Sequence, residues 1–147
     1  MPSPARDEAL RVTIEVRAGS FLKWGHDGGL DFLSPVPCPF NYGSVSGSLA
    51  EDGDPQDAIV LGRPMDRRAQ VECRAIAIVR FIDKGVRDDK WICRPLGQDE
   101  ALSDAERASL ARFFRFYGTT KRLRSRLGGA RELTRFDGIE LLVPIRG

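Results

Sequence analysis

Residues 71–94 read VECRAIAIVRFIDKGVRDDKWICR and give the strongest strand signal in the chain. Apolar residues alternate through its first half, which predicts the longest strand of the protein. One face of this strand is formed by Val71, Cys73, Ala75, Ala77, Val79 and Phe81. Residues 83–89 are mostly polar and predict a turn, after which residues 90–94 return as a second strand. We therefore predict a long hairpin with a charged tip.

Shorter strands are predicted by the same alternation or by short apolar runs at residues 12–16, 21–24 and 58–61. The other segments before the hairpin are predicted to be a loose leader at residues 1–9, a turn at residues 26–29 and irregular chain at residues 34–47. Three prolines and two glycines favour the last of these interpretations.

One helix is clear after the hairpin. Ser103 and Glu106 form the S-x-x-E capping box, in which each side chain satisfies a backbone N–H of the other residue. An apolar stripe with helical spacing follows at Leu110, Phe113, Phe114 and Tyr117. Gly118 is predicted to end the helix, and residues 139–145 fit either a strand or a short helix. Several short strands and one or two late helices predict a small barrel with helices outside.

Composition predicts one folded domain over residues 1–147, since about 150 residues is typical of a domain. The 23 basic and 21 acidic residues leave a net charge of +2, which excludes a polycationic tail. No apolar run approaches the roughly 20 residues of a membrane span, and no apolar segment follows the N-terminus. We expect a cytoplasmic protein without a membrane partner, whose three cysteines are reduced, buried thiols.

The single histidine, His26, restricts the chemistry that the chain can perform. It excludes a His-rich zinc site, and it makes a Ser-His-Asp triad depend on one residue in a glycine-rich turn. A metal site would therefore need carboxylates, which favour magnesium, manganese or calcium.

An acidic turn is the clearest candidate for such a site. Residues 52–57 read DGDPQD, and three carboxylates so close together repel one another unless a cation lies between them. An EF-hand loop is excluded, because the glycine and glutamate that it requires at its sixth and twelfth positions are Asp57 and Arg63 here.

The wider segment, residues 38–60, reads CPFNYGSVSGSLAEDGDPQDAIV and resembles the barrel-type, magnesium-dependent soluble inorganic pyrophosphatases. In that family a P-x-N-Y-G segment precedes D-G-D-P-x-D at a fixed distance. The hairpin tip also resembles the family, which places two metal-binding aspartates and a phosphate-binding lysine at the offsets of Asp83, Asp88 and Lys90. Glu15, Lys23 and Tyr117 match an acidic, a basic and a tyrosine position of the same pattern.

The resemblance implies an α+β, mainly β fold, a small closed five-stranded OB-like barrel with one or two flanking helices. It implies a Mg²⁺-dependent enzyme that hydrolyses pyrophosphate to two phosphates by a Mg²⁺-bridged water, with Mn²⁺ as the alternative ion and a homo-oligomeric assembly. Asp54 would accept the proton of that water. The implied metal ligands are Asp52, Asp57, Asp83 and Asp88. The implied substrate-binding residues are Glu15, Lys23, Tyr42, Lys90 and Tyr117.

The chain departs from the family pattern at several phosphate-binding or acidic positions. Gly25 replaces an acidic residue, Cys38 a tyrosine and Gly118 a lysine; an arginine before Pro39 is also missing, and the C-terminal helix is shorter. Residues 119–135 carry six basic residues and one acidic residue. We hypothesise that one or two of Lys121, Arg122 and Arg124 supply the missing positive charge.

Two other functions fit the same observations. The lost cations would open the pocket to another phosphoanhydride, which a metal-dependent hydrolase could cleave. A catalytically weak barrel with a basic segment could instead bind phosphate or nucleic acid. The retained aspartates argue against this second alternative, because clustered carboxylates have no use without a metal ion, so nucleic acid is not an expected partner.

Overall fold

The computed structural model describes residues 3–20, 22–24, 30–33, 38–48, 53–127 and 133–143. The strands are β1 (Ala9–Val16), β2 (Leu22–Trp24), β3 (Leu30–Leu33), β4 (Asn41–Val45), β5 (Asp57–Val60), β6 (Gln70–Asp83), β7 (Val86–Arg87), β8 (Lys90–Pro95) and β9 (Arg135–Leu141). The helix α1 (Asp104–Leu127) lies between β8 and β9 in the chain. No helix in these ranges is long and apolar enough to cross a membrane.

Five strands close into a barrel in the order β1-β4-β5-β8-β6, because β6 returns to pair with β1. All of these pairings are antiparallel except that of β5 with β8. The second half of β6 extends beyond β1 and pairs with β9 along the same edge. The predicted barrel is confirmed, and a pair of short strands, β2 and β3, forms a separate sheet.

Strands β4, β5 and β8 and the middle of β6 are buried on both faces, whereas β1 alternates between buried and more exposed residues. In β5, Ile59 packs in a cluster with Phe40 and Phe81, whereas Ala58 and Val60 pack in a second cluster on the opposite face. The helix adds its predicted apolar stripe to the first cluster through Leu110, Phe113, Phe114 and Tyr117. Its capping box is also confirmed: the Ser103 N–H donates to Glu106 at 2.9 Å, and the Glu106 N–H donates to Ser103 Oγ at 3.1 Å.

The N-Y-G sequence lies in β4, where backbones approach too closely for a side chain at the glycine. A Cβ at Gly43 would lie 2.0 Å from the backbone oxygen of Thr13. The pairing of β1 with β4 is irregular beside this contact, since Ile14 pairs with Gly43 but Val16 pairs with Tyr42. Glu15 is therefore the extra residue of a β-bulge, a feature that redirects side chains.

Four local predictions were wrong. Residues 34–47 are not wholly irregular, because Asn41–Val45 is a barrel strand whose glycine permits close pairing. The described part of the leader is not loose: Asp7 and Glu8 hydrogen-bond to Ala75 of β6 through their backbones. The face predicted for β6 is divided by an irregularity between Ala75 and Ala77. Consequently Cys73 packs in the second cluster, while Ala77, Val79 and Phe81 pack in the first.

The fourth correction concerns Gly118, which does not end the helix. The helix continues through it for nine more residues, as far as Leu127. An internal glycine costs only about 1 kcal/mol of helix stability. The burial of Phe114 and Tyr117 before Gly118 and the Lys121–Asp83 ion pair after it together outweigh that cost. Gly118 itself packs against Phe81. In the ambiguous segment at residues 139–145, residues 139–141 form the end of the strand β9. Residues 144 and 145 and the turn predicted at residues 26–29 lie outside the described residues.

Candidate active site

The parallel pairing of β5 with β8 brings two distant acidic segments to one end of the barrel. Ala58 pairs with Trp91, so the residues that precede them, Asp57 and Lys90, begin adjacent strands at the same edge. Asp88 lies two residues before Lys90 in the hairpin tip. The motif at residues 52–57 and the hairpin tip, which are about 30 residues apart in sequence, therefore meet in space.

The Lys90 ammonium group lies between the two carboxylates. Lys90 Nζ is 2.7 Å from Asp57 Oδ2 and 2.8 Å from Asp88 Oδ2, and the Lys90 side chain is only 1% exposed. Burial alone would lower the pKa of Lys90, but the two carboxylates outweigh it and raise the pKa above its usual value. Lys90 is consequently a permanent buried cation, and it holds the two carboxylates facing each other.

Tyr42 packs against this group from β4. Its ring centroid is 5.9 Å from Lys90 Nζ, and the residue is buried. Burial, reinforced by the negative charge of Asp57, raises the pKa of Tyr42 well above its usual value. The phenol therefore keeps its proton at neutral pH and can donate a hydrogen bond to an anion.

A second charged pair extends the site toward the helix. Lys121 Nζ is 2.5 Å from Asp83 Oδ2 and lies 5.0 Å from the ring centroid of Tyr117. Thr134 Oγ1 lies 3.4 Å from Asp83 Oδ1. Burial would lower the pKa of Lys121, but its neighbours Tyr117 and Asp83 outweigh this effect and raise it. The continuation of the helix past Gly118 is what brings Lys121 to Asp83.

Comparison with known proteins identifies the family of this chain. A family model described as inorganic pyrophosphatase matches residues 14–138. The chain belongs to the inorganic pyrophosphatase family. Inorganic pyrophosphatase of Streptomyces coelicolor is 35% identical over 122 residues, which cover 72% of this chain and 75% of that protein. The Pseudanabaena enzyme is 30% identical over 137 residues, covering 84% of this chain and 76% of its own length.

Solved structures agree with the family assignment. An inorganic pyrophosphatase from Neisseria gonorrhoeae superposes with a TM-score of 0.68 at 25% identity, covering 90% of this chain and 82% of its own. A pyrophosphatase from Coxiella burnetii has the same fold, with a TM-score of 0.76 at 23% identity, covering 96% of this chain and 90% of its own.

The remaining residues expected from the pyrophosphatase pattern are placed less completely. Asp54 is exposed in the turn before β5, and Glu15 occupies the bulge opposite β4. Lys23 lies in β2 and pairs with Phe32, but its side chain is outside the described part of the structure. Asp52 also lies outside the described residues. Arg122 and Arg124 belong to the last part of α1, residues 122–127, in which the backbone but not the side chains is described.

The donors present suit a hard divalent cation. Asp57 and Asp88 offer carboxylate oxygens that converge on Lys90 Nζ in a protected site, each side chain being only 12% exposed. Within the described residues, no three acidic, cysteine or histidine side chains surround one point. Asp52, which the sequence predicts as a further ligand, lies outside the part of the chain that the structure describes.

Sequence reasoning missed two residues that support this site, Gln56 and Asp89. Both residues lie within the quoted segments, but neither occupies a position that defines the family pattern. A polar residue in a turn is also usually exposed. Here Gln56 is buried and the Asp89 side chain is 11% exposed. Their burial depends on the meeting of the two loops, which no local pattern reveals.

The buried cation at Lys90 generates a testable stability prediction. We expect Lys90→Met to lower the free energy of unfolding of the metal-free protein by about 3–5 kcal/mol, because two buried carboxylates lose their counter-charge. Added divalent ion should recover much of this loss. Urea unfolding with and without a chelator measures both effects.

The matched control is Lys84→Met at the exposed hairpin tip, which should change stability by no more than about 0.5 kcal/mol. Equal stabilities of the two variants without metal would contradict the role assigned to Lys90.

Proposed function

We propose that this protein hydrolyses inorganic pyrophosphate to two phosphates with the help of divalent metal ions. The observation that carries the proposal is the convergence of Asp57, Asp88 and Lys90, which combines carboxylates for cations with a fixed ammonium group for anions. Family membership supports the same reaction, since the relatives compared above are named inorganic pyrophosphatases.

Metal binding is assigned to the acidic residues of the two motifs. We propose Mg²⁺ as the resident ion, with Mn²⁺ as a substitute, held by Asp52, Asp57, Asp83 and Asp88. When bound, divalent ions neutralise the charge of the phosphates and make water more acidic. Carboxylates also suit Mg²⁺ because it prefers hard oxygen ligands.

The other residues bind the substrate and move its proton. Lys90 and Tyr42 present an ammonium group and a protonated phenol, which hold phosphate oxygens by charge-assisted and ordinary hydrogen bonds. Tyr117, whose ring centroid lies 5.0 Å from Lys121 Nζ, is a further proposed substrate contact. Asp54, exposed in its turn, accepts the proton of the attacking water. Glu15 and Lys23 complete the proposed substrate contacts.

Lys121 supplies a cation that the family pattern places at the position of Gly118. It is three residues later in the same helix, so its side chain projects from nearly the same face one turn farther along. Its ion pair with Asp83 holds it at the edge of the site. We propose that Lys121 binds the phosphate of the substrate once Asp83 coordinates a metal ion. A cytoplasmic location and a homo-oligomeric assembly stay predictions.

Phosphate release tests the proposed reaction. The wild type should release phosphate from pyrophosphate with Mg²⁺ and much less from a panel of nucleotides. We expect Asp57→Asn to reduce this rate by about a hundredfold or more, because it removes a metal-binding charge. Asp66→Asn alters an exposed aspartate that pairs with Arg17 and should leave the rate unchanged.

Turnover of nucleotides alone would indicate a hydrolase that acts on another phosphoanhydride. No turnover of any substrate would contradict the proposal that the protein is an enzyme. Full activity of Asp57→Asn would refute the assignment of that residue.

Lys121 gives a separate prediction for substrate affinity. Lys121→Met should raise KM for pyrophosphate by about tenfold, as expected for the loss of one charge-assisted hydrogen bond, and Lys121→Glu should raise it further. Steady-state kinetics at saturating Mg²⁺ measure the effect, with Lys84→Met as the control on an exposed lysine. An unchanged KM in both Lys121 variants would show that the residue only neutralises Asp83.

A further inference from the structure

Gln56 is a buried amide that bridges the two acidic loops. Its residue is 5% exposed and lies between Pro55 and Asp57. Its Nε2 donates to the backbone oxygen of Asp89 at 2.6 Å and to that of Asp57 at 3.1 Å. The two acceptors belong to Asp57 itself and to the residue next to Asp88. One side chain thus joins the backbones that carry both carboxylates.

The backbone of Gln56 is fixed by the loop after β4. Its N–H donates to Ser48 Oγ at 3.0 Å, and its carbonyl accepts from the Val45 N–H at 2.8 Å. Ser48 Oγ in turn donates to the carbonyl of Val45 at 2.6 Å. These hydrogen bonds anchor the backbone of Gln56 to the loop after β4. The side-chain amide therefore reaches the hairpin tip from a fixed base.

The other end of the bridge is equally restrained. Asp89 Oδ1 accepts from the Phe81 N–H at 3.0 Å, and Asp89 Oδ2 accepts from Arg80 Nη1 at 2.7 Å. Arg80 also donates through Nε to Glu140 of β9 at 2.7 Å. The Asp88 N–H donates to the Phe81 carbonyl at 2.8 Å. The hairpin tip is therefore rigid where Gln56 contacts it.

We propose that Gln56 is a positioning residue that fixes the separation of the Asp57 and Asp88 carboxylates and thereby sets the affinity of the site for divalent cations. The inference rests on the proposed function, in which these carboxylates bind metal. Lys90 restrains only the side-chain ends, and a ligand that displaces it would release them. Gln56 restrains the backbones, so the spacing of the carboxylates persists when the cation between them changes.

Two variants remove the bridge in different ways. Gln56→Leu abolishes both donated hydrogen bonds with little change in volume. Gln56→Glu keeps the shape of the side chain but replaces the donor by an acceptor that faces two carbonyl oxygens. Gln98→Leu is the matched control, because Gln98 is exposed and lies in the turn after β8.

The test measures the Mn²⁺ dissociation constant by titration calorimetry, together with melting temperature and kcat at saturating metal. We expect both Gln56 variants to bind Mn²⁺ about tenfold more weakly, as is typical when a residue that supports metal ligands is lost. Their kcat at saturating metal should stay within about threefold of the wild type, and Gln98→Leu should match the wild type throughout. If Gln56→Leu does not fold, the Mn²⁺ dissociation constant of the isosteric variant Gln56→Glu tests the proposal.

A lowered melting temperature with an unchanged Mn²⁺ dissociation constant would show a merely structural role and overturn the inference. Because the Mn²⁺ titration needs no turnover, its result is independent of the reaction. A wild type that binds Mn²⁺ but hydrolyses no pyrophosphate would refute the proposed function alone.

Discussion

The contact of one buried ammonium group with two carboxylates organises this protein. Lys90 neutralises Asp57 and Asp88 at 2.7 and 2.8 Å in a site where water is largely excluded. In such surroundings an unpaired carboxylate is costly, so neither loop can take up its position without the other. The same arrangement leaves carboxylate oxygens close together, which is what a divalent cation requires. Stability and function therefore both depend on the balance between the positive charge of Lys90 and the negative charges of Asp57 and Asp88.

The barrel supplies the geometry for that balance. The parallel pairing of β5 with β8 starts both strands at one edge, and the antiparallel hairpin of β6 and β8 presents Asp83 and Asp88 beside it. The helix closes the site from a third direction with Tyr117 and Lys121. The charged groups thus come from segments far apart in sequence, and the burial of apolar residues between them fixes their distances.

The acidic motifs were predictable because they are local. The spacing of Asp57 within its turn, and of Asp88 and Lys90 within the hairpin tip, is what carries the family resemblance, and the structure brings these residues together. The capping box and the apolar stripe of the helix were predictable for the same reason. Asp52 and the side chain of Lys23 stay predictions, since they lie outside what the structure describes.

The errors arose where tertiary packing overrides a local rule. Gly118 has the signature of a helix end, but the aromatic packing before it and the Lys121–Asp83 ion pair after it carry the helix onward. The prolines before Asn41 obscured a five-residue strand that exists because Gly43 permits close contact with β1. Gln56 and Asp89 resembled ordinary turn residues, because their burial is created only when the two loops meet.

The central claim is that Asp57 and Asp88 jointly hold a cation. Anomalous diffraction from Mn²⁺-soaked crystals at the manganese absorption edge tests it most directly. The account predicts an anomalous peak in contact with carboxylate oxygens of both residues. A well-occupied Mn²⁺ ion that contacts neither residue, or only one of them with the other turned to solvent, would contradict it.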